Sequence, residues 1–154
     1  MAKVRVLLDT NIIVDCLGVR EPFYELTRRV LLCGRVGEFE LWLASSQFTD
    51  LIYILSDGGA KDRLSPALSA LQGLRSFVNV YPVGTAEIDT MLATRWKDPE
   101  DALLFEVAMK VRADAIITRN ASDFETTAIN IFSCDELFAW LLESFGLDYS
   151  EVPF

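Results

Sequence analysis

The sequence predicts an α/β fold: a three-layer α/β/α sandwich around a central, mostly parallel sheet of four to five strands. Three observations lead there. Short β-branched and aliphatic runs recur along the chain, as VRVLL, FELWLA, VNVYPV, DAIIT and INIF. Helical patterns separate them, and strands joined by helices form parallel sheets covered on both faces. Finally, 154 residues, 51% of them apolar and 24% charged, suit one hydrophobic core. Residues 1–145 are therefore read as a single domain and 146–154 as a loosely docked C-terminal tail.

Each element has a local reason. Val4 to Leu8 is aliphatic, with Arg5 near its start where the guanidinium reaches solvent. A helix follows from about Ile12. Pro22 opens a second helical stretch, PFYELTRRVLLCGRVG, because proline is tolerated in a first turn, and Gly34 or Gly37 ends it. Phe39 to Ala44 is a buried strand. Ser45 or Ser46 then caps a helix in which Phe48, Leu51, Ile52 and Leu55 recur at helical spacing, with Gly58 and Gly59 as its stop. KDRLSPALSALQGLRSF is helical, with Pro66 at a first turn or a kink. VNVYPV is an edge or third strand. Gly84 to Lys97 is helical again, with Ile88, Met91, Leu92 and Arg95 along one face. In DPEDALLFEVAMKVRA, Asp98 is the N-cap, Pro99 the first helical residue, and Glu100 and Asp101 suit the positive end of the dipole. DAIIT, INIF and the capped helix SCDELFAWLLESF complete the chain.

Several chemistries are excluded. There is no histidine, which removes Ser-His-Asp hydrolysis, HExxH zinc sites and imidazole-based ribonuclease chemistry. Cys16, Cys33 and Cys134 form no CxxC pair and read as small core hydrophobes. No early apolar run is long enough for a signal sequence or a membrane span, so a cytoplasmic protein without membrane attachment is expected. The net charge of −9 argues against a broad nucleic-acid footprint but permits a local site, because a metal held by acids can meet a phosphate itself.

The acids fall in telling places. Asp9 follows the first strand, Asp50 lies about one turn into the helix after the second, Asp98 and Asp101 open a helix, and Asp123 follows the fourth strand. Parallel sheets bind ligands at the carboxyl ends of their strands. Capping also accounts for Asp9, Asp98 and Asp123, dipole complementarity for Asp101, and a solvated face for Asp50. Gathered at one edge, however, such acids repel unless cations neutralise them. Mg²⁺ or Mn²⁺ prefers carboxylate oxygen, and a metal-assisted phosphodiester displacement needs no histidine.

Three stretches, LLDTNIIVD, SSQFTDLIYIL and DPEDALLFEVAMKVRADAIITRNASDF, occur in that order from Leu7 to Phe124, and with them the chain resembles PIN-domain nucleases of the kind found in bacterial VapC-type toxins. INIFSCDELFAWL suits the family too. The resemblance implies a PIN-like fold and a Mg²⁺- or Mn²⁺-dependent ribonuclease that leaves a 3′-hydroxyl and a 5′-phosphate. It makes Asp9, Asp101, Asp123 and Asp50 both the metal ligands and the catalytic set of four. Thr10 and Asn11 shape the turn, Asp98 is a secondary acid, and Thr118, Arg119 and Asn120 support the site or meet the substrate. Arg95 and Lys97 are further phosphate-contact candidates. Asp50 stands where the family usually has Glu, and the missing methylene retracts the carboxylate by about 1.5 Å against Mg²⁺ bonds of about 2.1 Å. The implied partners are an RNA substrate, a basic antitoxin protein and a second copy of the chain, for which Phe23, Tyr24, Val30 and Leu31 offer candidate surface, although core packing accounts for them about as well.

Two alternatives stand beside this reading. A haloacid-dehalogenase-type phosphatase also places an Asp after its first strand, but needs a second acid where this chain has Asn11. A non-catalytic PIN-like module would bind RNA or protein without cutting it.

Overall fold

Alternating side chains of the first strand set the layers. In the computed structural model, which describes residues 2–150, Val6 and Leu8 enter one core and Leu7 the other. That two-residue period is expected of a strand buried on both faces. All three side chains are fully buried, each contributing about 1.5–3 kcal/mol relative to exposure.

The chain runs β1 (Arg5–Leu8), α1 (Thr10–Leu17), α2 (Tyr24–Arg35), β2 (Glu40–Ala44), α3 (Gln47–Leu55), α4 (Lys61–Arg75), β3 (Asn79–Tyr81), α5 (Thr85–Leu92), α6 (Pro99–Lys110), β4 (Ala115–Ile117), a short 3-10 turn (Ala121–Asp123), β5 (Asn130–Phe132) and α7 (Cys134–Phe145). The sheet order is β3-β2-β1-β4-β5 and every pairing is parallel. One face is covered by α1, α2, α3, α4 and α7 through Ile12, Val30, Leu51, Leu71 and Leu137. The other is covered by α6 through Leu103, Leu104 and Val107, with Met91 of α5 beside it. This is the predicted three-layer sandwich, with five strands.

Local differences from the sequence reading have packing causes. Gly34 does not end α2. It lies within the helix against Leu41, where a Cβ would collide with that side chain, while Gly37 makes the turn at φ +85°. The helix expected over Gly84 to Lys97 stops at Leu92. Beyond it Trp96 stacks on Phe105 and meets Phe124 edge-on, with centroids 5.3 and 6.2 Å away, so Arg95 lies outside the helix. In the expected tail, Tyr149 packs on Phe138 and donates to Glu38 at 3.1 Å; residues 151–154 lie outside the described residues. The cysteines behave as core hydrophobes: burial pushes the thiols of Cys16 and Cys33 up to about 11 and that of Cys134 up to about 12. Among the described residues no helix is long and apolar enough to cross a membrane.

One feature of the topology positions the site. From β1 the chain builds outward through β2 and β3, then returns to place β4 and β5 on the opposite side. The reversal falls between β1 and β4, and in open parallel sheets ligands bind at the carboxyl edge beside such a switch. Asp9 follows β1 directly, and Thr118 follows β4.

Candidate active site

Asp9 is both a helix cap and part of an acidic site. Its Oδ1 accepts the Thr10 N–H at 2.7 Å and its Oδ2 accepts the Thr118 hydroxyl at 2.7 Å, with a longer contact from the Asn11 amide at 3.4 Å. Its own N–H donates to the Ile117 carbonyl at 2.9 Å. The two strands at the switch therefore hold this carboxylate from both sides. Thr118 also accepts the Asn120 N–H at 3.0 Å, so most of its hydroxyl's bonding capacity goes to fixing Asp9 and the β4 turn.

The second part comes from α6. Asp98 caps it as the sequence predicts, accepting from the N–H groups of Glu100 at 2.9 Å and Asp101 at 3.4 Å. Pro99 follows at the first helical position, so the first turn, with Asp101 buried in it, points at the sheet edge. Burial pushes the Asp101 carboxyl up to about 7, and the charges of Asp9, Asp98, Asp123 and Glu100 push the same way. Burial also raises Asp9, against the bonds from Thr118 and Thr10. Glu100 is raised by burial and then by Asp50, Asp98 and Asp9. Far-apart acids in the sequence thus act on one another in space.

A cavity of about 230 Å³ lies among them, lined by Asp9, Asp50, Glu100 and Asp101 together with Thr10 and Gln47. Among the described residues no Lys or Arg lines it. Ile88, Met91, Leu103 and Leu104 form its apolar wall, which strengthens the repulsion among the acids. Asp50 is exposed on the first turn of α3 and meets the group through Glu100. Asp123, also exposed, acts on Asp101 from the 3-10 turn without lining the cavity. Among the described residues, no three acidic side chains stand close enough to cage an ion by themselves. The donor set nevertheless suits a hard divalent cation: it is all carboxylate, crowded and uncompensated, and Mg²⁺ is ordinarily held by one or two carboxylates with water and substrate phosphate supplying the remainder.

The remaining candidates are placed differently. Arg119 grips Asp15, which is 0% exposed, through Nε at 2.6 Å and Nη2 at 3.3 Å, and its guanidinium lies 4.2 Å over the Phe23 ring. The Arg119 N–H approaches Asn11 Oδ1 at 3.5 Å. Lys97 is exposed and its N–H donates to Glu125 at 2.7 Å. Sequence reasoning missed three participants. Glu100, which by sequence only suits the helix dipole, lines the cavity beside Asp101. Gln47, buried, donates to the Leu8 carbonyl at 2.9 Å and the Thr10 hydroxyl at 3.2 Å while accepting the Ala44 N–H at 2.8 Å, which ties the ends of β1 and β2 together. Asp15, within LLDTNIIVD, carried no signal of its pairing with Arg119.

An all-parallel sheet with an acidic pocket at its switch point is an architecture for ligand chemistry at the carboxyl edge. The family model for the PIN domain matches residues 5–122, and the chain belongs to the PIN-domain family. Its fold is similar to that of a toxin–antitoxin complex from Klebsiella pneumoniae, at 20% identity and TM-score 0.61, covering 84% of this chain and 97% of that one. It is also similar to VapBC2 from Rickettsia felis bound to a DNA fragment from their promoter, at 15% identity and TM-score 0.62, covering 84% and 98%. A third similar structure is Mycobacterium tuberculosis VapC20, a sarcin-ricin-loop-cleaving toxin, at 13% identity and TM-score 0.56, covering 72% and 86%. Among curated proteins, none matches the chain.

Proposed function

We propose that this chain is a divalent-metal-dependent endoribonuclease and the toxin of a toxin–antitoxin pair. The observation that carries the reading is the cavity beside the β1/β4 switch, where Asp9, Asp50, Glu100 and Asp101 line one space without a basic residue and Asp101 is pushed up to about 7. Such crowding is unfavourable for the protein alone and becomes favourable with a cation, the signature of a functional rather than a structural cluster. The similar toxin structures support the toxin assignment, and the family supports phosphodiester hydrolysis.

In this reading Asp9 and Asp101 hold Mg²⁺ or Mn²⁺, with Asp50, Asp98 and Asp123 acting around them and Glu100 facing the same cavity. The cation supplies an activated water and neutralises charge on the phosphate. The protein's part is positional. Thr118 and the α1 N-terminus fix Asp9, Gln47 fixes the edge on which Thr10 sits, and the apolar wall keeps the dielectric low. Cleavage by attack of water on phosphorus yields a 3′-hydroxyl and a 5′-phosphate. Assembly with a second copy and silencing by a basic antitoxin segment complementary to the acidic groove complete the proposal.

The exposure of Asp50, and the lack of a tight three-acid cage among the described residues, favour the alternative of a non-catalytic RNA- or protein-binding module. Cleavage of end-labelled RNA by the native protein and by Asp9→Asn, with Mg²⁺, Mn²⁺ or EDTA, separates the two. Metal-dependent cutting that Asp9→Asn loses supports the enzyme. Equal background in both proteins overturns it in favour of the module.

A further inference from the structure

Beside the acidic cavity lies a second one, with an arginine in its wall. It measures about 300 Å³ and is lined by Phe23, Thr27, Arg119 and Ser133, with Ile12 and Leu26 as its apolar floor; among the described residues Asp135 is its one acid. Thr10 lines the acidic cavity and Ile12 lines this one. The two therefore flank the first turn of α1, separated by about one helix diameter, of order 10 Å. The segment after β4 joins them: Thr118 bonds Asp9 at 2.7 Å, and Arg119, the next residue, forms a wall of the second cavity.

Nothing in the proposed hydrolysis uses this cavity, yet its most ordered part is built for a planar ligand. The guanidinium of Arg119 is held in a fixed plane by two bonds to buried Asp15 and by stacking on Phe23 at 4.2 Å. Phe23 remains 38% exposed, so an aromatic edge and a cationic plane meet at the cavity mouth. Thr27, buried, donates its hydroxyl to the Phe23 and Tyr24 carbonyls and so fixes the start of α2 on which Phe23 sits. The Ser133 oxygen accepts the Glu136 N–H at 3.2 Å, leaving its hydroxyl hydrogen to donate.

We propose that this cavity receives an unpaired nucleobase of the same RNA strand whose phosphodiester lies at the acidic site, stacked against the Arg119–Phe23 pair. The inference rests on the ribonuclease reading above. Its support is continuity with the acidic site through residues 118–119, a fixed guanidinium plane beside an exposed aromatic ring, and the preference of unstacked bases for aromatic faces and arginine planes. Stacking of this kind tolerates any base, so the subsite selects single-stranded over paired RNA more than it selects sequence.

The test uses the full chain and a labelled single-stranded RNA dodecamer, with Phe23→Ala, Phe23→Trp and the native protein compared for folding by circular dichroism. In cleavage assays Phe23→Ala raises KM by about tenfold with kcat little changed, the loss of one base stack, and Phe23→Trp restores it. In the native protein an abasic nucleotide at one position near the cut has the same effect, and in Phe23→Ala it adds nothing. An unchanged KM in Phe23→Ala, or abasic and protein effects that simply add, overturns the subsite and leaves the ribonuclease standing. If the native protein binds the RNA by fluorescence anisotropy without cutting it, and Phe23→Ala weakens that binding while Phe23→Trp restores it, hydrolysis falls and the subsite stands. Absence of both binding and cutting overturns both. Phe23→Ala that weakens only association with a partner protein makes the cavity a protein-docking site and overturns the inference.

Discussion

Asp15 and Asp101 are both buried helical aspartates, at 0% and 8% exposure, and they occupy opposite situations. Asp15 meets a guanidinium in a two-point contact and is matched charge for charge. Asp101 meets Asp9, Asp98, Asp123 and Glu100, all of one sign, and is pushed up to about 7. A matched buried charge holds structure together, whereas an unmatched one among like charges is strain held for a ligand.

The largest effect falls on turnover. Asp101→Asn keeps the shape of the side chain and removes its charge, and RNA cleavage drops by about a thousandfold or more, equivalent to several kcal/mol of transition-state stabilisation. Thermal stability is kept, as a melt of the same sample records. The converse substitution, Arg119→Ala, leaves Asp15 buried without its partner. It costs about 3 kcal/mol, a fall in Tm of about 10 °C, and the paired replacement Asp15→Leu with Arg119→Leu recovers most of it. A fall in Tm for Asp101→Asn as large as that for Arg119→Ala would erase the distinction.

A smaller effect appears in the pH dependence without added metal. Because the folded value for Asp101 lies above its unfolded one, the folded state binds more protons between about pH 4 and 7, so its contribution to stability falls as pH rises through that window. Asp101→Asn therefore gains a few degrees of Tm relative to native at about pH 8 and little at about pH 4. Mg²⁺ or Mn²⁺ closes the gap by stabilising the native protein alone. The smallest effect concerns reach: Asp50→Glu lengthens an exposed carboxylate at the cavity rim and raises Mg²⁺-supported cleavage by a few-fold, on the order of 1 kcal/mol. An unchanged rate would place Asp50 outside the chemistry.

What could be read from the sequence was local. The apolar run ending in Asp9, the Asp98-Pro99 cap and the capping box of Ser133 with Glu136 all depend on residues within a few positions, and the parallel sandwich follows from the alternation of strands and helices. What escaped depends on distant contacts. The end of α5 is set by Trp96 against Phe105 and Phe124, and Asp15 finds Arg119 across 104 positions. Glu100 escapes for a different reason. Adjacent helical residues do not share a face in general, yet at the N-terminus of α6 both Glu100 and Asp101 reach the same cavity. Asp9, Asp98 and Asp101 were legible as a group because each closes a strand or opens a helix, the positions a parallel sheet presents at one edge.

Mn²⁺ binding followed by calorimetry, with native protein, Asp9→Asn and Asp101→Asn, tests the acidic site without relying on catalysis. Saturable binding by the native chain is expected, with a loss of about tenfold or more in affinity for each variant. Equal binding by all three proteins, or none by the native one, would contradict it.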